Sequence, residues 1–428
     1  MRKFAKKYYQ ILTIMMLAAL IAACGSDRKD PIASSADPAV FYSHSVAFRD
    51  TGLFAWGANT YGQLGSGDQN NSDTRYLPAQ VTGAAATGMS GVSAGGTHIL
   101  AFNTTPGNIY AWGNNGFGQL GNNSTAANAT PVQVLDTSST PLTGATAVSA
   151  GASHSLAIAN QNVWAWGSNR EGQIGVDTAT PFRNTAAQIA GLATVDKIAA
   201  GGAHSLALSN GQVSSWGSNT SGQLGFVSTT TSIPIPSTVV KAADSLPLSP
   251  VTDIAAGGSH SLFVADGAVW SCGLNTFGQL GAGNGDITDR KSGAVQVQNL
   301  SGTALQVAAG LAHSLALIDD GTGNGTGEVW AWGLNNIGQL GNGADLKSST
   351  LQKSTLPVQV LTNDAGHPFL ANIVSIVVIG NHNLAVDSSG QLWVWGGNAF
   401  GELGLAANDT TDRNFATRVP GFTTLSRL

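Results

Sequence analysis

One pattern, Trp-Gly-x-Asn-x-x-Gly-Gln-Leu-Gly, occurs seven times along the chain, and that recurrence limits the fold more than any other feature. The copies start at Trp56, Trp112, Trp166, Trp216, Cys272, Trp332 and Trp395, at spacings of 50 to 63 residues. Ile174 replaces Leu in the third copy, Cys272 replaces Trp in the fifth, and Glu402 replaces Gln in the seventh. Twelve to nineteen residues upstream of each copy lies a second element of the type Ala-Gly-x-x-His-Ser-Leu-Ala. Its histidines are His44, His98, His154, His204, His260, His313 and His382, seven of the eight in the chain. A single Gly-rich stretch such as residues 111–121 would suit a phosphate cradle. Seven copies at a period of this length are structural units that stack on one another. No G-x-x-x-x-G-K-[ST] accompanies them, so phosphate binding is set aside.

Each unit reads as four short strands. The first is apolar, as in residues 146–151 and 252–257. The second begins at the histidine and alternates in strand fashion. The third is the Trp-bearing segment of residues 162–167, 328–333 and 391–396. The fourth is a Pro-Val-Gln-Val type run, as at 131–134 and 357–360. All ten tryptophans lie in the third strand, at the repeated position or two residues earlier. A spacing of two puts both rings on one strand face. Trp112, Trp166, Trp216, Trp332 and Trp395 are therefore expected to pack one unit against the next, each burying on the order of 150–250 Å². Within the loop, Gly allows positive φ, Asn bonds its own turn, Gln satisfies backbone groups, and Leu fills space between units. His98, His154, His204, His260 and His313 are expected to be structural, each bonding backbone locally after its Gly-rich turn. A metal ring would need three or four ligands of chosen geometry, so neither metal nor cofactor is expected. The fold expected is all-β, one domain over residues 41–428, because units that pack only on neighbours escape the usual size limit of one core.

The N-terminus reads differently. Arg2, Lys3, Lys6 and Lys7 precede an apolar run of 13 residues from Ile11 to Ala23, too short to span a bilayer and suited to a signal peptide over residues 1–23. Ile21-Ala22-Ala23-Cys24 resembles the bacterial lipobox, which implies acylation of Cys24 and a flexible tether over 24–40. Acyl chains contribute about 0.8 kcal/mol per buried CH₂, so several anchor stably. Gly25 after the cysteine points to the outer rather than the inner membrane. Without the four leading basic residues the formal charge moves from −5 to −9, which disfavours nucleic acid as a partner. Cys272 would then be the one remaining thiol, a small buried hydrophobe.

The paired half-motifs resemble the RCC1 (regulator of chromosome condensation) repeat family. That resemblance covers residues 41–428 and implies a seven-bladed β-propeller with four-stranded blades, closed by strands from both chain ends. The first unit lacks its leading Gly-rich strand, and the segment 414–428 carries a fourth-strand pattern plus an extra apolar stretch. The simplest closure pairs that tail with the blade begun at His44, which removes exposed edges. The family includes exchange factors for a nuclear GTPase, a plant ultraviolet receptor, ubiquitin-ligase modules and a secreted bacterial β-lactamase inhibitor. The last is closest in setting and implies a protein-binding rim.

A propeller does not by itself fix a function. Residues repeated seven times serve the fold, so recognition is expected where the units differ, in the loops at 66–78, 226–237, 282–293, 342–357, 241–251 and 361–373. The two variable positions after the loop Asn supply one candidate rim: Tyr61, Phe117, Phe277, Ile337 and Phe400, interrupted by Arg170 and Glu171. The simpler reading of these side chains is that each packs under its own turn. No catalytic motif is present, and the reading is a non-catalytic, monomeric, lipid-anchored scaffold for an unidentified protein partner. The alternative is a glycan- or small-molecule-binding propeller, or an enzyme, with a site in the central channel. Exchange-factor activity follows only by family analogy. Residues 319–328 have the composition of a calcium loop, but Ala331 falls where the bidentate acid counted from Asp320 would be needed. They read as a long turn.

Overall fold

In the computed structural model the described residues are 42–49, 52–67, 74–83, 88–103, 105–176, 180–283, 290–346, 352–364, 366, 368–422 and 425. The signal-peptide, Cys24 and tether expectations fall outside them, as do parts of the variable loops. The described residues form 27 strands and no helix. The strands gather into seven antiparallel sheets, one per repeat. Six have four strands; the first has three, His44–Arg49, Gly52–Gly57 and Arg75–Gln80. The sixth and seventh sheets touch through a single bridge between Gly327 and Ile373.

The second blade shows how the sequence builds a unit. Its strands are Met89–Ala94, His98–Asn103, Ile109–Gly113 and Asn128–Gln133. The second and third pair in continuous register from His98 opposite Gly113 to Phe102 opposite Ile109. The fourth strand starts three residues before the Pro-Val-Gln-Val run, because the register shifts between Ala111 and Gly113, a bulge that re-aims the loop beyond. This order leaves the turn before His98 and the Asn-x-x-Gly-Gln-Leu-Gly loop at one end of the blade. The hairpin between second and third strands, and the connection to the next blade, lie at the other. Trp56, Trp112, Trp166, Trp216, Trp332 and Trp395 are all fully buried, and the apolar clusters join residues of adjacent blades rather than filling one shared centre. Leu100 and Leu120, for example, pack with Trp166 and Ala186.

The two chain ends meet at the seam between the seventh and first blades. Phe422 packs its ring on Phe54 and Trp56 at centroid distances of 5.6 and 5.8 Å. The closure differs from the expected strand exchange. Among the described residues the tail adds no strand to the first blade; its backbone returns to its own, with Leu392 N–H donating to Phe422 and Leu425 N–H to Gly390. Phe422 instead occupies the place that Leu142, Leu248 and Leu370 hold in the connections of other blades, where each amide bonds back to its preceding fourth-strand valine.

Candidate functional site

The repeated polar residues converge on the seams, and they do so through one unit of geometry. Trp166 Nε1 donates to the Gln119 carbonyl of the preceding blade at 2.8 Å. Ser155 Oγ donates to the same carbonyl at 2.8 Å, and His98 Nε2 lies 2.9 Å from Ser155 Oγ. The hydroxyl proton is committed to a carbonyl, which only accepts, so the imidazole must donate from Nε2. The same arrangement recurs with His154 and Ser205, His204 and Ser261, His260 and Ser314, and His382 and Ser45. Asn383 replaces serine opposite His313, accepting through Oδ1 at 2.7 Å and donating to the Gln339 carbonyl. The expectation that each histidine bonds backbone locally is thus corrected: Nε2 bonds the next blade, 51 to 70 residues away in five of these pairs. Spacing within one repeat could not reveal a bond between repeats.

The glycine before each histidine has a steric reason. A Cβ on Gly151 would stand 2.4 Å from its own His154 ring and 2.7 Å from the Gly201 carbonyl of the next blade. The last glycine of the loop has another. Gly121 sits at φ +66°, and a Cβ there would lie 2.8 Å from Trp166 Nε1. Burial pushes all seven repeated imidazoles down, to about 4 for His44, His204 and His313 and to about 3 for His98, His154, His260 and His382; neighbouring imidazoles add to the shift in these last four. They are neutral at physiological pH, and among the described residues no three His, Cys, Asp or Glu side chains gather as a metal-ligand set.

Inside the loop, Asn115 Oδ1 accepts from Leu120 N–H and Gln119 Oε1 from Phe117 N–H, both at 2.9 Å. All seven copies make the corresponding pair, with Glu402 Oε2 standing in for glutamine at Phe400. Two seams depart from the pattern. The second blade carries Ile99 where the others carry Ser or Asn, and His44 has no side-chain partner there. In the fifth blade Cys272 is fully buried and its Sγ, 3.5 Å from the Gln223 carbonyl, takes the indole's place. Burial pushes this thiol up to about 12, so it is neither ionised nor reactive.

The central channel is walled by first strands rich in Ala, Val and Ile and holds a cavity of about 270 Å³. Its polar side chains are used between blades. Ser93 and Ser149 accept from Ala150 and Ala200 N–H, Asp253 accepts from Val307 N–H and Lys197 Nζ, and Gln306 bonds both backbone groups of Ile376.

The candidate rim lies on the Gln-loop end of the ring. Tyr61, Phe117, Glu171, Phe277 and Phe400 are half-buried there, Ile337 is buried, and Arg170 is exposed. Several reach the neighbouring blade: the Arg170 guanidinium covers the Phe117 ring at 5.1 Å, and Phe277 packs on Ala312 and Leu334. The most exposed apolar side chains stand elsewhere. Val227 is 85% exposed in a Gln-loop connection, and Leu246 and Phe369, at 59% and 48%, stand on the opposite end. Large apolar residues inside the variable connections were the signal in the sequence for these. In residues 319–327, both Asp320 oxygens accept from Thr322 and Thr326 of the same turn.

Comparison with known proteins agrees with this geometry. The chain is 28% identical over 378 residues to the ultraviolet-B receptor UVR8 of Arabidopsis thaliana, covering 87% of this chain and 79% of that one. Yeast RCC1 (Prp20), solved bound to Kap60, shares the fold at a TM-score of 0.72 with 22% identity, over 93% of this chain and 89% of its own. Human WBSCR16 does so at 0.69 with 23% identity, over 87% and 96%. The RCC1-like domain family matches residues 52–427, and the chain belongs to that family.

Proposed function

We propose that this protein is a non-catalytic scaffold, held to a bacterial envelope membrane by acyl chains on Cys24, that binds a protein partner through the connections at the ends of its ring. One observation carries the reading. The chemistry-bearing repeated side chains are spent inside the seams, while Val227, Leu246 and Phe369 stand exposed in the connections at the ends of the ring. Such connections on a rigid ring are where binding groups are displayed. The polar groups of the channel are already bonded across blades, which weighs against a channel site for a glycan or substrate. Attachment rests on residues 1–24 alone; no helix among the described residues is long and apolar enough to cross a membrane.

The test uses the full-length protein in its own envelope. A photo-crosslinking residue at Val227 on one end, and at Leu246 or Phe369 on the other, is expected to trap one discrete protein adduct from one end only. Cys24→Ser is expected to release the protein from the membrane fraction. Diffuse labelling from both ends would overturn the scaffold reading, and membrane retention of Cys24→Ser would overturn the anchor.

A further inference from the structure

Six seams of the ring are crossed by the chain itself, and the seventh is not. Between the seventh and first blades no peptide connection runs, and no strand is shared among the described residues. An apolar cluster spans it, and the side-chain hydrogen bonds that cross gather around Glu402. Its carbonyl accepts from Trp56 Nε1 and Ser45 Oγ, both at 2.8 Å. Ser45 in turn receives His382 Nε2 at 2.7 Å, and the next loop glycine, Gly404, lies against the Trp56 indole. The Glu402 side chain is 5% exposed, and Oε2 holds the loop by accepting from Phe400 N–H at 2.7 Å. Every other seam has glutamine here.

A protonated carboxyl and a carboxamide have the same shape and each offers one accepting oxygen and a donor; a carboxylate offers only acceptors and a charge. The titratable and charged groups around Glu402 do not supply a counter-ion. Asp412 lies on its own loop, with the Asp409–Arg413 pair beyond it. His382 faces the seam from the seventh blade, and His44, Tyr76 and Arg75 face it from the first. Both histidines are neutral, and among the described residues no cation bonds the carboxyl.

We propose that Glu402 is a proton-operated latch on the ring: as the neutral acid it copies glutamine and keeps the closing seam shut, and as the carboxylate it lets the seventh and first blades part. Release of one proton to solvent is the whole of the chemical step. Burial pushes the carboxyl up to about 8, outweighing the backbone N–H groups of Glu402, Phe400 and Ala399 that favour the carboxylate, while repulsion from Asp412 adds to the rise; the changeover falls near neutral pH.

The experiment is native-state hydrogen exchange on the full chain between pH 6.5 and 8.5, where the imidazoles stay neutral, corrected for intrinsic exchange. Peptides spanning 44–57 and 413–422 report the closing seam, and peptides of the third to fifth blades report the rest. In the native protein the closing-seam opening constant is expected to rise about tenfold per pH unit up to about pH 8 and then level, with the middle blades unchanged. Glu402→Gln restores the residue of the other six seams and is expected to remove that slope. An equal slope in Glu402→Gln, or loss of protection spread evenly over all blades, would overturn the latch.

Discussion

The seams and the end connections of this ring follow opposite rules. At the seam between the second and third blades, His98, Ser155, Trp166 and the Gln119 carbonyl form a closed set of bonds with no exposed member; two other seams repeat it unchanged and three repeat it with one exchange. In the end connections the backbone path recurs in places but the exposed side chains do not: Leu246 follows an Asp244 turn, Phe369 follows His367 and Pro368, and Val227 precedes a run of Ser and Thr. Repetition therefore marks where side chains hold blades together, and variation marks where the surface is free to differ. The comparison can be broken by altering each region and weighing the consequences.

The largest effect is expected from acid, which attacks all seams together. The folded pKa of each repeated histidine lies at about 3 or 4, below the unfolded 6.5. The unfolded chain thus binds more protons, and the stability each imidazole contributes is full above pH 6.5 and is lost as pH falls toward 4 and 3. At pH 5 the loss is roughly 2 kcal/mol per histidine. Seven such losses, about 14 kcal/mol together, are comparable to the roughly 5–15 kcal/mol that holds an ordinary domain, so the ring is expected to unfold cooperatively as pH falls toward 5. Circular dichroism and tryptophan emission against pH would measure it. A ring intact at pH 4.5 would mean the imidazoles are not buried neutral groups.

The closing seam carries the opposite sign. The folded pKa of Glu402, about 8, stands above its unfolded 4.5. Its contribution is therefore full below pH 4.5 and is lost progressively as pH rises to 8. Glu402→Gln is expected to raise stability at pH 7 by about 3 kcal/mol and to leave stability below pH 4.5 nearly unchanged. Denaturant melts of both proteins at pH 5.5, 7 and 8.5 would show the gap widening with pH.

A third comparison sets the incomplete seam against a complete one. His44 faces Ile99 and bonds no side chain of the next blade, whereas His98 bonds Ser155. Replacing a buried polar group that bonds no side chain relieves a desolvation penalty, and replacing one that bonds strands its partner. His98→Leu is therefore expected to cost about 1–3 kcal/mol more than His44→Leu. Equal costs would show that the histidines act by volume alone.

Much of the ring was legible in the sequence because its period is the seam. Seven tryptophan-position residues, each following a histidine by twelve to nineteen positions, announce blades, and the paired aromatic positions of the third strand, such as Trp164 and Trp166, announce faces that stack. What could not be read was the partner of each repeated group. His98 and Ser155 are 57 residues apart, and only the closed ring makes them neighbours. The same limit hid the closure. The apolar tail suggested an added strand, but Phe422 serves as one more inter-blade plug, a role visible only beside Leu370 and Leu142. The surroundings of the candidate rim were hidden for a related reason: Phe117 and Phe277 each belong to one loop along the chain, yet the next blade half covers both.

The smallest stability effect, and the sharpest contrast, is expected at the ends of the ring. Leu246→Ser and Phe369→Ser remove side chains that are about half exposed and engage no seam bond, so each is expected to change stability by less than about 0.5 kcal/mol. Ser155→Ala deletes only a hydroxyl yet strips His98 Nε2 of its acceptor and the Gln119 carbonyl of a donor, at an expected cost of about 1–3 kcal/mol. Thermal melts of the three variants side by side would rank them. The opposite ranking in a partner-crosslinking assay, with Leu246→Ser or Phe369→Ser losing the adduct and Ser155→Ala keeping it at a temperature where it stays folded, would separate recognition from architecture. If the two end variants melt as low as Ser155→Ala, these connections belong to the fold after all, and the surface for recognition must be sought among other loops.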